Sequence, residues 1–187
     1  GERQVAALVK GVSPEFLQQI DPEKITVDGQ FLLEEGDVEF SVVGVGLAMP
    51  LGLRANYIAP LEIDSPKRDV KVNMANTANA FSRSFVYASG IFAINQVKYD
   101  EQVIFVSMNM ARELFRYDEE VSSLNISLNG SKSTNTVKRE LKELLGSGYL
   151  VKDRFEQQEE AFRIVNIEKW VTYLILLFII VIAVFNI

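Results

Sequence analysis

The chain has 187 residues, a formal net charge of −6, and neither cysteine nor histidine. The acidic balance argues against nucleic acid or an anionic membrane surface as the main partner, because both require a concentrated basic face. Without cysteine the chain has no disulfides or thiolate metal sites. Without histidine it lacks the commonest general base and the commonest metal ligand. We therefore expect no catalytic, cofactor-binding or metal-binding residues, and a protein that is not an enzyme.

The first third of the chain is typical of alternating strands and short helices. In chain order, the predicted elements are a strand at Gln4–Val9, a short helix opened by Ser13-Pro14, a buried strand at Val38–Val43, a helical turn or two at Leu47–Leu51, and a strand at Asn56–Ala59. Between the buried strand and the helical turns lie Gly44 and Gly46, where a dinucleotide loop would sit. The third glycine position is Met49, so we interpret the glycines as allowing a tight turn and close packing.

The periodic pattern fails from Leu61 to about Ala80, a polar stretch that contains Pro66, the pair Lys67-Arg68 and several asparagines. We interpret this stretch as a long loop. Loops longer than about 12–15 residues are uncommon inside compact domains and are often functional.

Regular patterns return after this loop. The predicted elements are strands at Phe85–Asn95 and Gln102–Val106, a helix capped by Ser107, a strand at Leu124–Leu128, a helix at Thr134–Leu145, and a short strand at Tyr149–Val151. From about Gln157 the pattern is helical again, without proline or glycine before the end of the chain.

The last residues, Trp170–Ile187, are almost entirely apolar and carry no charge. This run reaches the lower limit of about 17 residues for a membrane-spanning helix, and Trp170 and Tyr173 at its start suit the headgroup region. We therefore expect this run to begin a membrane-spanning helix and the chain to be a piece of a longer membrane protein. The alternative is that the run forms a buried core helix. One continuous helix would form a stalk across the membrane surface, whereas a flexible junction near Asn166 would give two independent helices.

Four segments, in order, resemble one family. They are Leu8–Pro14 (LVKGVSP), Val42–Ala48 (VVGVGLA), Gly90-Ile-Phe92 followed by Tyr99-Asp100, and Glu168-Lys169 leading into Val184-Phe185-Asn186-Ile187. With them the chain resembles the extracytoplasmic domain of lipoprotein-releasing ABC transporter permeases of the LolC/LolE type, within the MacB/FtsX permease superfamily.

This resemblance implies an α+β, MacB-like periplasmic core. Residues 1–54 and 121–155 would form an α/β Porter-like subdomain, and residues 55–120 an inserted, mostly β Sabre-like subdomain. Residues 156–169 would be the stalk helix, and residues 170–187 the start of a transmembrane helix in the bacterial inner membrane, with residues 1–169 in the periplasm.

The resemblance also implies a function, partners and site residues. A non-catalytic permease domain would couple ATP hydrolysis by a separate cytoplasmic ATPase to lipoprotein release, paired with a second permease subunit and without a cofactor. The long loop falls where such permeases carry a β-hairpin that captures a periplasmic chaperone, with Asp64, Pro66, Lys67 and Arg68 as the partner-binding residues. Near the membrane, Phe162, Ile167 and Trp170 of the stalk are our candidates for lining the entry, because apolar residues just above the bilayer would suit acyl chains. The alternative is that they pack the stalk against its own domain.

Three alternatives remain open. A MacB-like efflux permease would use the same fold and stalk but engage a periplasmic adaptor. An FtsX-like permease would regulate a cell-wall hydrolase and move no substrate. A sensor ectodomain would need a ligand pocket between its subdomains.

Overall fold

The computed structural model describes residues 3–55, 59–68, 80–130 and 132–185, with side chains described except at 158–169 and 183–185. The chain divides into two compact units, Gly1–Leu124 and Asn125–Ile187.

The first unit contains a mixed sheet and short helices, and the second contains two longer helices. The strands are β1 (Leu8–Val12), β2 (Thr26–Gly29), β3 (Glu34–Glu35), β4 (Val38–Gly44), β5 (Leu61–Pro66), β6 (Phe81–Phe92) and β7 (Val103–Ser107). The helices are α1 (Phe16–Gln19), α2 (Pro22–Ile25), α3 (Val45–Leu51), α4 (Val97–Asp100), α5 (Met108–Phe115), α6 (Thr134–Leu145) and α7 (Arg154–Phe185).

The described strands form one seven-stranded sheet in the order β1-β7-β4-β6-β2, with β3 added to β4 and β5 added to β6. β1 is parallel to β7, and β4 is parallel to β6 but antiparallel to β7. Sheet and helices together give an α+β fold. The predicted boundaries at residues 54 and 120 stay a prediction, although β4 is hydrogen-bonded to β6 and β7 from the next predicted segment.

Both faces of the central sheet carry a core, because successive side chains of a strand point to opposite faces. On one face, Val43 contributes to a cluster with Leu114 of α5. On the other face, Val42 contributes to a cluster centred on the ring of Phe105. That ring lies 5.1 to 5.6 Å from the rings of Phe16, Phe31 and Phe92. Burial of central strands on both faces explains why apolar residues are adjacent in the sequence at Val42-Val43 of β4 and at Val103–Val106 of β7.

The long strand β6 has two successive sets of partners. Its first half pairs antiparallel with β5, from Phe81 opposite Pro66 to Val86 opposite Leu61. Its second half, from Tyr87, pairs with β4. β5 and the first half of β6 therefore form a hairpin. This hairpin precedes the segment of β6 that pairs with β4.

Several predicted elements are confirmed. β4, α3 with its left-handed cap at Gly52, α5 with its cap at Ser107, and α6 ending at Gly146 all lie at the predicted positions. The Ser107 hydroxyl accepts a hydrogen bond from the Met110 amide (3.0 Å) and donates one to Glu39 Oε2 (2.6 Å), as a capping serine should.

Four predictions of secondary structure need correction. The expected loop is wrong over Leu61–Pro66, which pairs as β5 because β6 supplies a partner strand that the sequence pattern alone does not reveal. The strands expected at Leu124–Leu128 and Tyr149–Val151 are wrong, because both segments are irregular. β1 begins at Leu8 rather than Gln4, since its pairing with β7 starts there. Residues 56–58 of the remaining predicted strand lie outside the described residues.

The second unit is built around α6 and α7, and none of its described side chains is buried. α7 has 32 residues, so its length is about 48 Å at 1.5 Å per residue. It is continuous through Asn166, which confirms the prediction of one helix over a junction at this position.

Candidate functional site

The four predicted partner-binding residues lie along one strand and just after it. Asp64 and Pro66 belong to β5, and Lys67 and Arg68 follow directly. The Lys67 amide donates a hydrogen bond to the Ala80 carbonyl at 2.8 Å. This bond brings together the two ends of the connection 69–79, which itself lies outside the described residues.

Asp64 is held in an ion-pair cluster within the hairpin. Arg83 of β6 donates to both carboxylate oxygens of Asp64, at 2.9 and 3.2 Å, and also contacts Glu62 at 2.8 Å. All three side chains are about half exposed, so the cluster adds little stability but fixes the local geometry. A basic partner would have to compete with Arg83 for these carboxylates.

Arg68 also has an internal contact. Its guanidinium carbon lies 4.2 Å from the centre of the Tyr117 ring, just after α5. Such a cation–π contact contributes about 0.5–1 kcal/mol at an exposed site. The contact places Arg68 beside the end of α5, while the residue itself remains exposed. The Tyr117 ring is a feature that sequence reasoning missed, because its position depends on the tertiary fold.

The hairpin also carries an exposed aromatic surface that sequence reasoning missed. Phe81, Phe85 and Tyr87 alternate along β6 and are 42%, 56% and 39% exposed. Phe40 of β4 is in register with Tyr87, and the two ring centres are 6.3 Å apart. We call these four residues the aromatic face. The signal in the sequence is the period-two alternation of FSRSFVY, which predicts that every second side chain shares a face.

The opposite face of the same hairpin is part of the core. Ile63 and Val86 are buried in the cluster that includes Leu114 of α5. One side of the hairpin is therefore anchored to the unit, which leaves the aromatic face open on the other side.

Arg83, with its partners Asp64 and Glu62, lies on the same face as the aromatic rings, between Phe81 and Phe85, so the surface combines aromatic rings with an ion-pair cluster. Aromatic residues and arginine are both enriched at protein interfaces.

The glycines of Gly44-Val-Gly46 have a packing role. A Cβ atom at Gly44 would lie 2.4 Å from the Asp100 carbonyl oxygen, and one at Gly46 would lie 2.6 Å from the Glu101 side chain. Strand β4 and α3 thus approach the end of α4 more closely than any side chain allows. This geometry confirms the interpretation that these glycines allow close packing.

Asp100 supports the same region from a buried position. Its two carboxylate oxygens accept hydrogen bonds from the amides of Ile94 (2.8 Å) and Gln96 (3.0 Å). We expect Asp100→Ala to leave both amides without this partner and to reduce the free energy of unfolding by about 2 kcal/mol. Chemical denaturation measures this loss. Asp118→Ala, a change at an exposed carboxylate after α5, is the control, and equal stability of the two variants would contradict the role given to Asp100.

The predicted membrane-proximal residues all lie in α7. The side chains of Phe162 and Ile167 are outside the described residues, whereas Trp170 is 76% exposed. Every side chain from Trp170 to Ile182 is exposed, and within this stretch only Thr172 and Tyr173 carry a hydroxyl group. A helix that is apolar on all sides needs an apolar environment around it.

Within the described residues, no helix was found with an apolar stretch long enough to cross a membrane. The predicted span, residues 170–187, ends outside the described residues and stays a prediction. The same described part of the chain contains no group of three acidic residues arranged to hold a metal ion. Neither models of known protein families nor the curated proteins gave a match to this chain.

Proposed function

We propose that this chain is the periplasmic domain of an ABC transporter permease, with Porter-like and Sabre-like subdomains and the start of a transmembrane helix. In this role, ATP binding by a separate cytoplasmic ATPase moves the long helix, the helix moves the periplasmic part, and ATP hydrolysis resets the cycle. The observation that carries the proposal is the continuity of α7, from a polar start at Arg154 into the exposed apolar segment Trp170–Ile182. An unbroken helix transmits a displacement along its axis, whereas a loop would absorb it.

Lipoprotein release from the inner membrane is the transport reaction that we propose, with a second permease subunit completing the transporter. The proposal uses the β5–β6 hairpin as the place where a periplasmic lipoprotein chaperone docks. Two features support this use. The aromatic face offers rings of the kind that are enriched at protein interfaces, and the hairpin is anchored by its other face.

The docking site is tested by substitution on the aromatic face. We expect Phe85→Ser to weaken chaperone binding by about tenfold or more, because truncating a residue that dominates an interface costs about 2 kcal/mol, and about 1.4 kcal/mol is a factor of ten. Val97→Ser is the control, since Val97 is 69% exposed on α4, away from the hairpin. Calorimetric titration of the purified chaperone into the tagged chain in detergent gives both affinities, and equal affinities would exclude the aromatic face.

A second variant tests the hairpin connection. Residues 69–79 are replaced by a short glycine–serine linker, which the hydrogen bond between Lys67 and Ala80 allows without loss of β5. Recovery of a lipoprotein chaperone from periplasmic extract that depends on this connection favours lipoprotein release. Recovery of an adaptor favours a MacB-like efflux permease, and recovery of a cell-wall hydrolase favours an FtsX-like regulator.

A further inference from the structure

One lysine joins α6 to the start of the long helix. Lys138 Nζ lies 3.2 Å from Asp153 Oδ2 and also forms an ion pair with Glu156 Oε2. The side chains of Lys138 and Asp153 are only 15% and 16% exposed. The neighbouring pair Lys132–Glu140 is about half exposed, so the two ion pairs differ in their shielding from water.

The same two carboxylates also begin the helix. Asp153 Oδ1 accepts hydrogen bonds from the amides of Phe155 and Glu156, both at 2.9 Å. In return, Glu156 Oε2 accepts one from the Asp153 amide at 3.1 Å. This reciprocal arrangement is a capping box, which satisfies amides that the first helical turn leaves without partners. Each carboxylate therefore contacts both the backbone at the start of α7 and the lysine of α6.

Apolar packing of α6 is only partial in the part of the second unit that the structure describes, where Val137 and Leu141 are half-buried. None of the described side chains there is buried, and Leu144 of α6 is 81% exposed. Lys138 and Asp153 are thus among the best shielded groups in the described part of this unit, while Glu156, at the edge of this charged cluster, is 40% exposed.

The three members of the charged cluster stay ionised together. The hydrogen bond with Glu156 raises the pKa of Lys138, the bond from Lys138 lowers the pKa of Glu156, and the backbone bond from Glu156 lowers the pKa of Asp153.

We propose that Lys138, Asp153 and Glu156 form a clamp that sets the direction in which the long helix leaves α6. With the clamp closed, α6 and the first turn of α7 move as one rigid body. The clamp does not depend on the proposed transport function, because all its contacts lie within this chain. The clamp would, however, transmit any force carried by α7 to α6.

The direction of α7 is measured by electron–electron resonance between two spin labels, one at Arg139→Cys on α6 and one at Tyr173→Cys on α7. The chain has no cysteine of its own, so the labels attach only at these two positions. Tyr173 lies 19 residues beyond the first residue of α7, about 29 Å along the helix, so a 10° change in direction moves the label by about 5 Å. The measurement uses the full chain in detergent micelles.

We expect Lys138→Met to broaden or shift the distance distribution by about 5 Å or more, because methionine keeps the length of the side chain but loses the charge. Lys138→Arg restores a cation and should keep the narrow distribution. Lys132→Met is the matched control, since it breaks an exposed ion pair of the same segment without touching the clamp.

Glu156→Gln provides a second route to the same answer. It opens the clamp from the α7 side, and it decides the test if Lys138→Met loses the circular dichroism signal of α6. Broadening in Glu156→Gln with an intact α6 signal supports the clamp. Narrow distance distributions in both Lys138→Met and Glu156→Gln, equal to that of the doubly labelled chain without either substitution, would overturn the clamp.

Discussion

Under the proposed function, Asn166→Pro is expected to reduce transport by the complete transporter strongly while its cytoplasmic ATPase still binds and hydrolyses ATP. Asn166 lies inside α7, and a proline there removes a backbone hydrogen bond and clashes with the carbonyl of Phe162, one turn earlier. The cost is about 3 kcal/mol, which lowers the population of the unbroken helix roughly a hundredfold. We therefore expect lipoprotein release from proteoliposomes to fall by more than about tenfold.

Asn166→Ala is the matched control for this variant. Alanine is the strongest helix former, so the helix and the release rate should both be retained. If α7 worked as two independent helices joined at this position, the proline would have little effect on release. Unchanged release with Asn166→Pro would therefore contradict transmission through the helix.

Gly44→Ala is expected to cause a large loss of stability, because it adds a methyl group directly against the backbone of α4. The new Cβ would lie 2.4 Å from the Asp100 carbonyl oxygen and 3.0 Å from that of Tyr99. Both contacts are with the backbone, which cannot rotate away as a flexible side chain can. We expect the free energy of unfolding to fall by about 3 kcal/mol, at the upper end of the usual cost of overpacking, as measured by chemical denaturation.

The matched control is Gly148→Ala, which adds the same methyl group in open space. No atom lies within 4 Å of a Cβ at Gly148, and Gly148 is not among the described glycines with positive φ. This variant should be neutral or slightly stabilising, because alanine restricts the unfolded chain. A Gly44→Ala variant as stable as the Gly148→Ala variant would show that β4 and α4 separate without cost.

The sequence predicted those elements whose determinants are local. Helix α6 has a serine cap, an apolar stripe and a terminal glycine, and the structure places it at Thr134–Leu145, as expected. The continuity of α7 was predictable because no proline or glycine interrupts it. Strand β4 was predictable because its residues first alternate between apolar and polar and then end in the apolar pair Val42-Val43.

Elements that depend on a partner were predicted less well. The strand Leu61–Pro66 has a mixed polar pattern, and only its pairing with β6 makes it regular. The reverse error occurred at Leu124–Leu128, whose alternation is clear but which has no regular structure. Alternation of apolar and polar residues indicates that a segment is suited to a strand. It does not indicate whether a neighbouring strand is present to pair with it.

The candidate site follows the same rule. Asp64 and Arg68 were identified from their charge, but their contacts with Arg83 and Tyr117 come from residues 19 and 49 positions away in the sequence. The aromatic face was predictable in part, since Phe81, Phe85 and Tyr87 share one parity along β6. That this parity faces outward depends on α5 covering the other side, which a local pattern does not specify.

The central claim is that nucleotide binding in the cytoplasm displaces the long helix. The most direct measurement is single-molecule fluorescence transfer between dyes at Trp170→Cys in each of the two permease subunits, in proteoliposomes with the partner ATPase. We predict two transfer efficiencies, one without nucleotide and another with ATP bound. One unchanged efficiency in both states, with ATP binding verified on the same sample, would contradict the account.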